Sequence, residues 1–166
     1  MTTSDKVSEA CAEFDGRDTE PLERCHDEMS ARPDYFDALC AAVGVQQVAA
    51  TWLLKRLFEK GYSPDKTETG KHLDRLNVIT NWEAQLHVCQ CVRYLDLPSS
   101  QTEQLADWLA PLLRHKRPFL RAWSLDALVH MSKADKTYRS AAEIALANAE
   151  QDEAASVRAR ARNLTL

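Results

Sequence analysis

Ala49-Ala-Thr-Trp-Leu-Leu-Lys-Arg-Leu57 returns twice further along the chain, as Ala84-Gln-Leu-His-Val-Cys-Gln-Cys-Val92 and as Leu120-Arg-Ala-Trp-Ser-Leu-Asp-Ala-Leu128. A shorter echo runs from Val157 to Ala161. In this register Ala49, Ala84, Leu120 and Val157 form one column, and Leu53, Val88, Ser124 and Ala161 a second. Leu57, Val92 and Leu128 form a third. The columns are small or apolar and lie one helical turn apart, the spacing of a helix with one buried face. A fourth column, Trp52, His87, Trp123 and Arg160, is read with them as core-like packing.

Working outward, helical periodicity recurs in ten short blocks: 4–14, 19–30, 33–43, 45–60, 68–79, 82–96, 101–114, 118–132, 136–149 and 153–164. Helix-start signals accompany several of them: Pro33-Asp34, Asn81 before Trp82, Ser100 with Glu103, and Pro118 after a basic turn. Gly61 to Gly70 is expected to be the one extended loop. First helices align less tightly, with Leu73 and Leu76 matching Leu109 and Leu112, then Ala145 and Asn148/Ala149. Two helices per unit, repeated along the chain, predict an all-α right-handed α-α superhelix, a solenoid of four to five hairpins. Residues 1–166 form a single domain in this reading, with 1–32 as an acidic N-terminal helical segment and 33–166 as the repeat hairpins.

In the last hairpin, Asp152-Glu-Ala-Ala-Ser-Val-Arg158 followed by Ala161 resembles the HEAT/armadillo pattern of an Asp, a Val-Arg six residues on, and a small residue. Leu120-Arg121 keeps half of it, with His115 in the place of the Asp. The resemblance implies a helical-repeat scaffold. Asp152 is expected to cap the following helix, and Arg158 to reach a carboxylate of its own or a neighbouring unit.

Composition agrees with helices in a globular chain. Of 166 residues 45% are hydrophobic and 28% charged, while four Gly and six Pro are few for an all-β protein. The longest uncharged run, residues 38–54, is too short for a membrane span and is broken by Gly44, Gln46 and Gln47. The polar N-terminus holds no signal core, and the five cysteines share no repeated CxxC spacing, so reduced thiols in a cytoplasmic protein are expected. Charge is uneven: residues 1–37 carry four basic and eleven acidic side chains, residues 114–166 ten and six.

No nucleotide-binding loop, nucleophile elbow or HExxH is present, and no catalytic residue, metal site or cofactor is expected. His87 and Cys91 share a helix face but make only two ligands, and Cys25-His26 are neighbours that cannot chelate together. The tryptophans Trp52, Trp82, Trp108 and Trp123 are assigned to packing. A working surface is expected along the second helices, one position off the packing columns, at Lys55, Glu83, Gln90, Tyr94, Asp126, His130 and Asn163. This mixture suits a protein or peptide partner, making the chain a non-catalytic interaction module. The alternative is nucleic-acid binding through Arg114, Lys116, Arg117 and Arg121. Some HEAT-like proteins, the alkylpurine DNA glycosylases, grip DNA with aromatic and carboxylate residues, and Trp123-Ser-Leu-Asp126 is the nearest feature to such a pair. The acidic net charge makes nucleic acid the less favoured partner. Self-association through the end hairpin, Ala154 to Leu166, is a third expectation.

Overall fold

A computed structural model describes all residues from Met1 to Leu166. The fold is 72% helix without strands, and ten α-helices pack together. They are α1 (Thr3–Glu13), α2 (Glu20–Met29), α3 (Tyr35–Ala42), α4 (Gln47–Glu59), α5 (Lys66–Leu73), α6 (Trp82–Cys91), α7 (Thr102–Leu109), α8 (Pro118–Ala134), α9 (Arg139–Glu150) and α10 (Ala155–Arg162). No helix is long and apolar enough to cross a membrane.

Three predicted blocks end early as α-helix and finish in a 3-10 turn, at Leu76–Val78 after α5, Val92–Tyr94 after α6 and Leu112–Arg114 after α7. Such turns tighten a helix end and occupy carbonyls that have lost their intrahelical donors. The expected loop from Gly61 to Gly70 is shorter than the sequence suggested, because α5 already begins at Lys66. A capping box starts it: the Asp65 carboxylate accepts from Glu68 N (2.8 Å) and the Glu68 carboxylate accepts from Asp65 N (3.1 Å). Gly70 sits inside α5 because a Cβ there would stand 3.0 Å from Gln101 Oε1. Asn81 caps α6 as expected, accepting from Glu83 N at 2.8 Å, and Pro118 opens α8. Ser100 does not begin a helix: residues Ser99–Gln101 form a 3-10 turn ahead of α7.

The second helices α4, α6, α8 and α10 pack against one another in succession, and α2 lies against α4. The three apolar columns form their interior: Ala49, Leu53, Leu57, Ala84, Val88, Val92, Leu120, Ser124, Leu128, Val157 and Ala161 are all buried. Leu73, Leu76, Leu109 and Leu112 of the first helices are buried as well, and one connected apolar cluster runs from Val7 to Ala161. A regular spacing also appears in polar contacts. Almost every side-chain hydrogen bond between distant parts of the chain joins residues 31 to 36 positions apart, from Thr3–Asp34 through Thr51–His87 and Arg93–Asp126 to Arg160–Asp126.

The Asp/Arg device of the last hairpin differs from expectation. Asp152 is not the N-cap residue of α10, which is Ala154, but its carboxylate accepts from Ala154 N at 2.8 Å and also takes a two-pronged ion pair from Arg121 of α8, Nε and a terminal nitrogen each at 2.9 Å. Arg158 reaches the carbonyls of Asp152 (2.6 Å) and Glu153 (2.9 Å) rather than a carboxylate. Arg121 makes the same carbonyl contacts one unit earlier, with His115 (2.8 Å) and Lys116 (3.3 Å). The Arg121 and Asp152 side chains are only 12% and 16% exposed, so their pairing is shielded from water. Replacing Asp152 by Ala is expected to destabilise the fold by about 2 kcal/mol in urea titration, allowing for this residual exposure. A change indistinguishable from zero would show that the last hairpin does not depend on this tie.

All five cysteines are buried and unpaired. Burial pushes the thiols of Cys11 and Cys40 up to about 12 and those of Cys25, Cys89 and Cys91 upward too.

Candidate functional site

The fourth column, Trp52, His87, Trp123 and Arg160, lies at the edge of the core and not inside it: Trp52 and Trp123 pack against the apolar cluster with one side. All four side chains are half-exposed on consecutive second helices. The register was right, but shared spacing does not reveal which side of a helix row faces neighbours and which faces solvent. His87 Nδ1 meets Thr51 Oγ1 of α4 at 3.0 Å, and Cys91 is fully buried. No group of three His, Cys, Asp or Glu side chains is placed to hold a metal ion.

Around Trp123 the column becomes a charged cluster. The Arg93 guanidinium, from the turn after α6, stands 5.0 Å from the indole centroid, and that of Arg160 on α10 stands 3.9 Å from it. Both arginines also converge on Asp126, one turn further along α8: Arg93 donates to Asp126 Oδ2 at 2.8 Å and Arg160 at 3.4 Å. Asp126 was expected to project from the surface, but it is 1% exposed, because arginines from the units before and after close over it. Its second oxygen, Oδ1, is buried without a hydrogen-bond partner. His130 Nε2 approaches that oxygen to 3.6 Å, and burial holds the imidazole below its usual pKa, outweighing the opposing pull of Asp126. Arg93, Arg160 and His130 are each about a third exposed. The site therefore presents two guanidiniums, an indole and an imidazole over a buried carboxylate.

The other expected surface residues lie along the same row without joining this cluster. Lys55 is paired with Glu59 at 2.8 Å, Gln90 is half-exposed, and Tyr94 is exposed with its ring 6.4 Å from that of Phe58. Glu83 stands in the first turn of α6, and Asn163 is exposed just beyond α10. The four basic residues considered for anion binding have different neighbours. Arg121 is held by Asp152, Arg117 lies 4.0 Å over the Trp82 ring, Lys116 is exposed, and Arg114 lines a groove between the turn after α7 and α9. Arg93 and Arg160 were the arginines missed at the site. The signal for them was present: they stand 33 residues before and 34 after Asp126, close to one repeat in each direction.

Compared with protein-family models, with curated proteins and with solved structures, the chain matches none.

Proposed function

We propose that this protein is a non-catalytic interaction module that binds another protein along its row of second helices. In this reading the row forms the inner face of a right-handed superhelix of HEAT-like hairpins. The observation that supports it best is the series Trp52, Arg93, Tyr94, Trp123, His130 and Arg160, exposed or half-exposed on successive second helices and the turns that follow them. Tryptophan, tyrosine and arginine supply most of the energy at protein interfaces. Here ion pairs and ring contacts already hold Trp123 and its arginines, so less side-chain freedom is lost on binding. Five unpaired, buried thiols favour a reducing compartment such as the cytoplasm.

Photo-crosslinking tests the assignment. A benzophenone side chain at position 94 is expected to trap a discrete adduct in cells, whereas one at the exposed Asp107 of α7 is expected to trap none. With the partner purified, Tyr94→Ala is expected to raise Kd by roughly thirtyfold, the effect of losing about 2 kcal/mol at a hot spot. Equal trapping at both positions, or an unchanged Kd, would remove this face from consideration.

The second reading, nucleic-acid binding, draws on Arg93 and Arg160 beside an indole, the combination that grips phosphate and stacks bases. Against it, both guanidiniums are engaged by Asp126 and one already covers the Trp123 ring. A mobility shift at micromolar protein in low salt, abolished by Arg160→Glu, would reverse the order of the two readings.

A further inference from the structure

Between the turn that follows α7 and the helix α9 the surface opens into a groove of about 570 Å³. Leu113, Ile144, Ala145 and Ala149 wall it, and Leu125 and Leu128 of α8 form its floor. Its origin can be traced in the repeat. One unit earlier, the seam between α5 and α7 is bridged by glutamines: Gln101 donates to Asp74 at 2.8 Å and to Gly70 O at 3.3 Å, and Gln104 donates to Leu73 O at 3.2 Å. The first-helix step from Leu109 to Ala145, carried onto Gln104, lands on the exposed Ser140, whose side chain is too short to cross the seam and makes no hydrogen bond there. The gap is therefore unbridged at this position and lined mostly by apolar side chains.

Three charged side chains border this apolar space: Arg114, Arg121 and Asp152. Arg121 and Asp152 neutralise each other in their two-pronged pair. Arg114 is exposed and makes no side-chain hydrogen bond or ion pair, although it lines the groove. An unpaired guanidinium beside an apolar crevice complements a molecule with one anionic end and an apolar body. The volume lies in the range of small-ligand sites. We infer that the groove between the turn after α7 and α9 binds a single-chain amphiphilic carboxylate, its alkyl part between Leu113 and Ile144 and its carboxylate on Arg114. This site is separate from the row of second helices and does not depend on the protein-binding proposal.

Calorimetric titration with decanoate, 1-decanol and acetate separates the contributions of charge and chain. Decanoate is expected to bind saturably at one site, decanol about tenfold more weakly, and acetate not at all. Arg114→Gln, at an exposed position, is expected to bring decanoate down to the level of decanol. Ala145→Trp, which fills the groove, is expected to abolish uptake of both, with circular dichroism confirming an unchanged helix content. Absence of decanoate binding, equal binding of decanoate and decanol, or binding that survives Ala145→Trp would each overturn the assignment.

Discussion

Replacing Arg93 and Arg160 together by methionine is expected to lower Tm by about 10 °C, and adding Asp126→Asn to that variant to recover most of the loss. The carboxylate is the reason. Asp126 is 1% exposed, and its charge is balanced by those two guanidiniums, since His130 stands 3.6 Å away with its pKa pushed down. Methionine keeps an apolar stem beside Trp123 but leaves a buried anion without a partner, which costs about 3–5 kcal/mol. For a domain of this size that corresponds to roughly 2–4 °C per kcal/mol. The asparagine removes the charge while keeping the shape, so the penalty disappears with it. Either single arginine variant should cost less than half as much, because the other guanidinium remains. Differential scanning calorimetry of the unmodified protein and the four variants decides the point. If the triple variant melts as low as the double, the arginines stabilise by covering Trp123 and not by neutralising Asp126.

Acid is expected to weaken the fold through His72. This side chain is fully buried on α5, meets the Phe58 ring edge-on at 6.0 Å, and has no hydrogen-bond partner at either ring nitrogen. Burial alone lowers its pKa from 6.5 to about 4. As pH falls through 6.5 the unfolded chain takes up a proton that the folded chain refuses until about 4, so stability is lost across that window and levels off below it. The size is about 3 kcal/mol at 1.36 kcal/mol per pH unit. His87, similarly lowered to about 4 by burial, adds in the same direction, though its half-exposed position beside Thr51 reduces its share. His72→Leu is expected to flatten much of this slope and to raise stability at pH 7, since no hydrogen bond is lost and two unsatisfied polar atoms leave the core. Urea titrations at pH 7 and pH 4 measure both effects. An unchanged slope in the variant would assign the acid sensitivity to other groups.

The ten helices and the step between them were legible in the sequence because burial repeats with the helix turn, and Leu57, Val92 and Leu128 carry that period openly. What spacing could not supply was the side on which a column faces. Trp52, His87 and Trp123 share a register with truly buried residues, and the arginine at position 160 in that column was the sign that it meets water. Asp126 failed in the opposite sense. Polar residues on a helix usually face solvent, and only partners from two other helices make burial of this one tolerable. Periodicity starts this helix at 68 and not at Lys66, because Gly61 to Gly70 has the composition of a loop, whereas the Asp65/Glu68 capping box is a local signal that overrides it. The apolar groove was not legible at all, since it arises from a side chain too short to bridge a seam.

The placement of the thiols has a further consequence. Cys11, Cys25, Cys40, Cys89 and Cys91 all lie between α1 and α6, and none lies on α7 to α10. An alkylating reagent meets no reactive sulfur while the stack is closed, so the rate of labelling becomes a clock for opening of the N-terminal half alone. Loosening that begins at the C-terminal end leaves no chemical trace until it reaches Cys91, and the order in which sulfurs become reactive records the direction from which the stack comes apart.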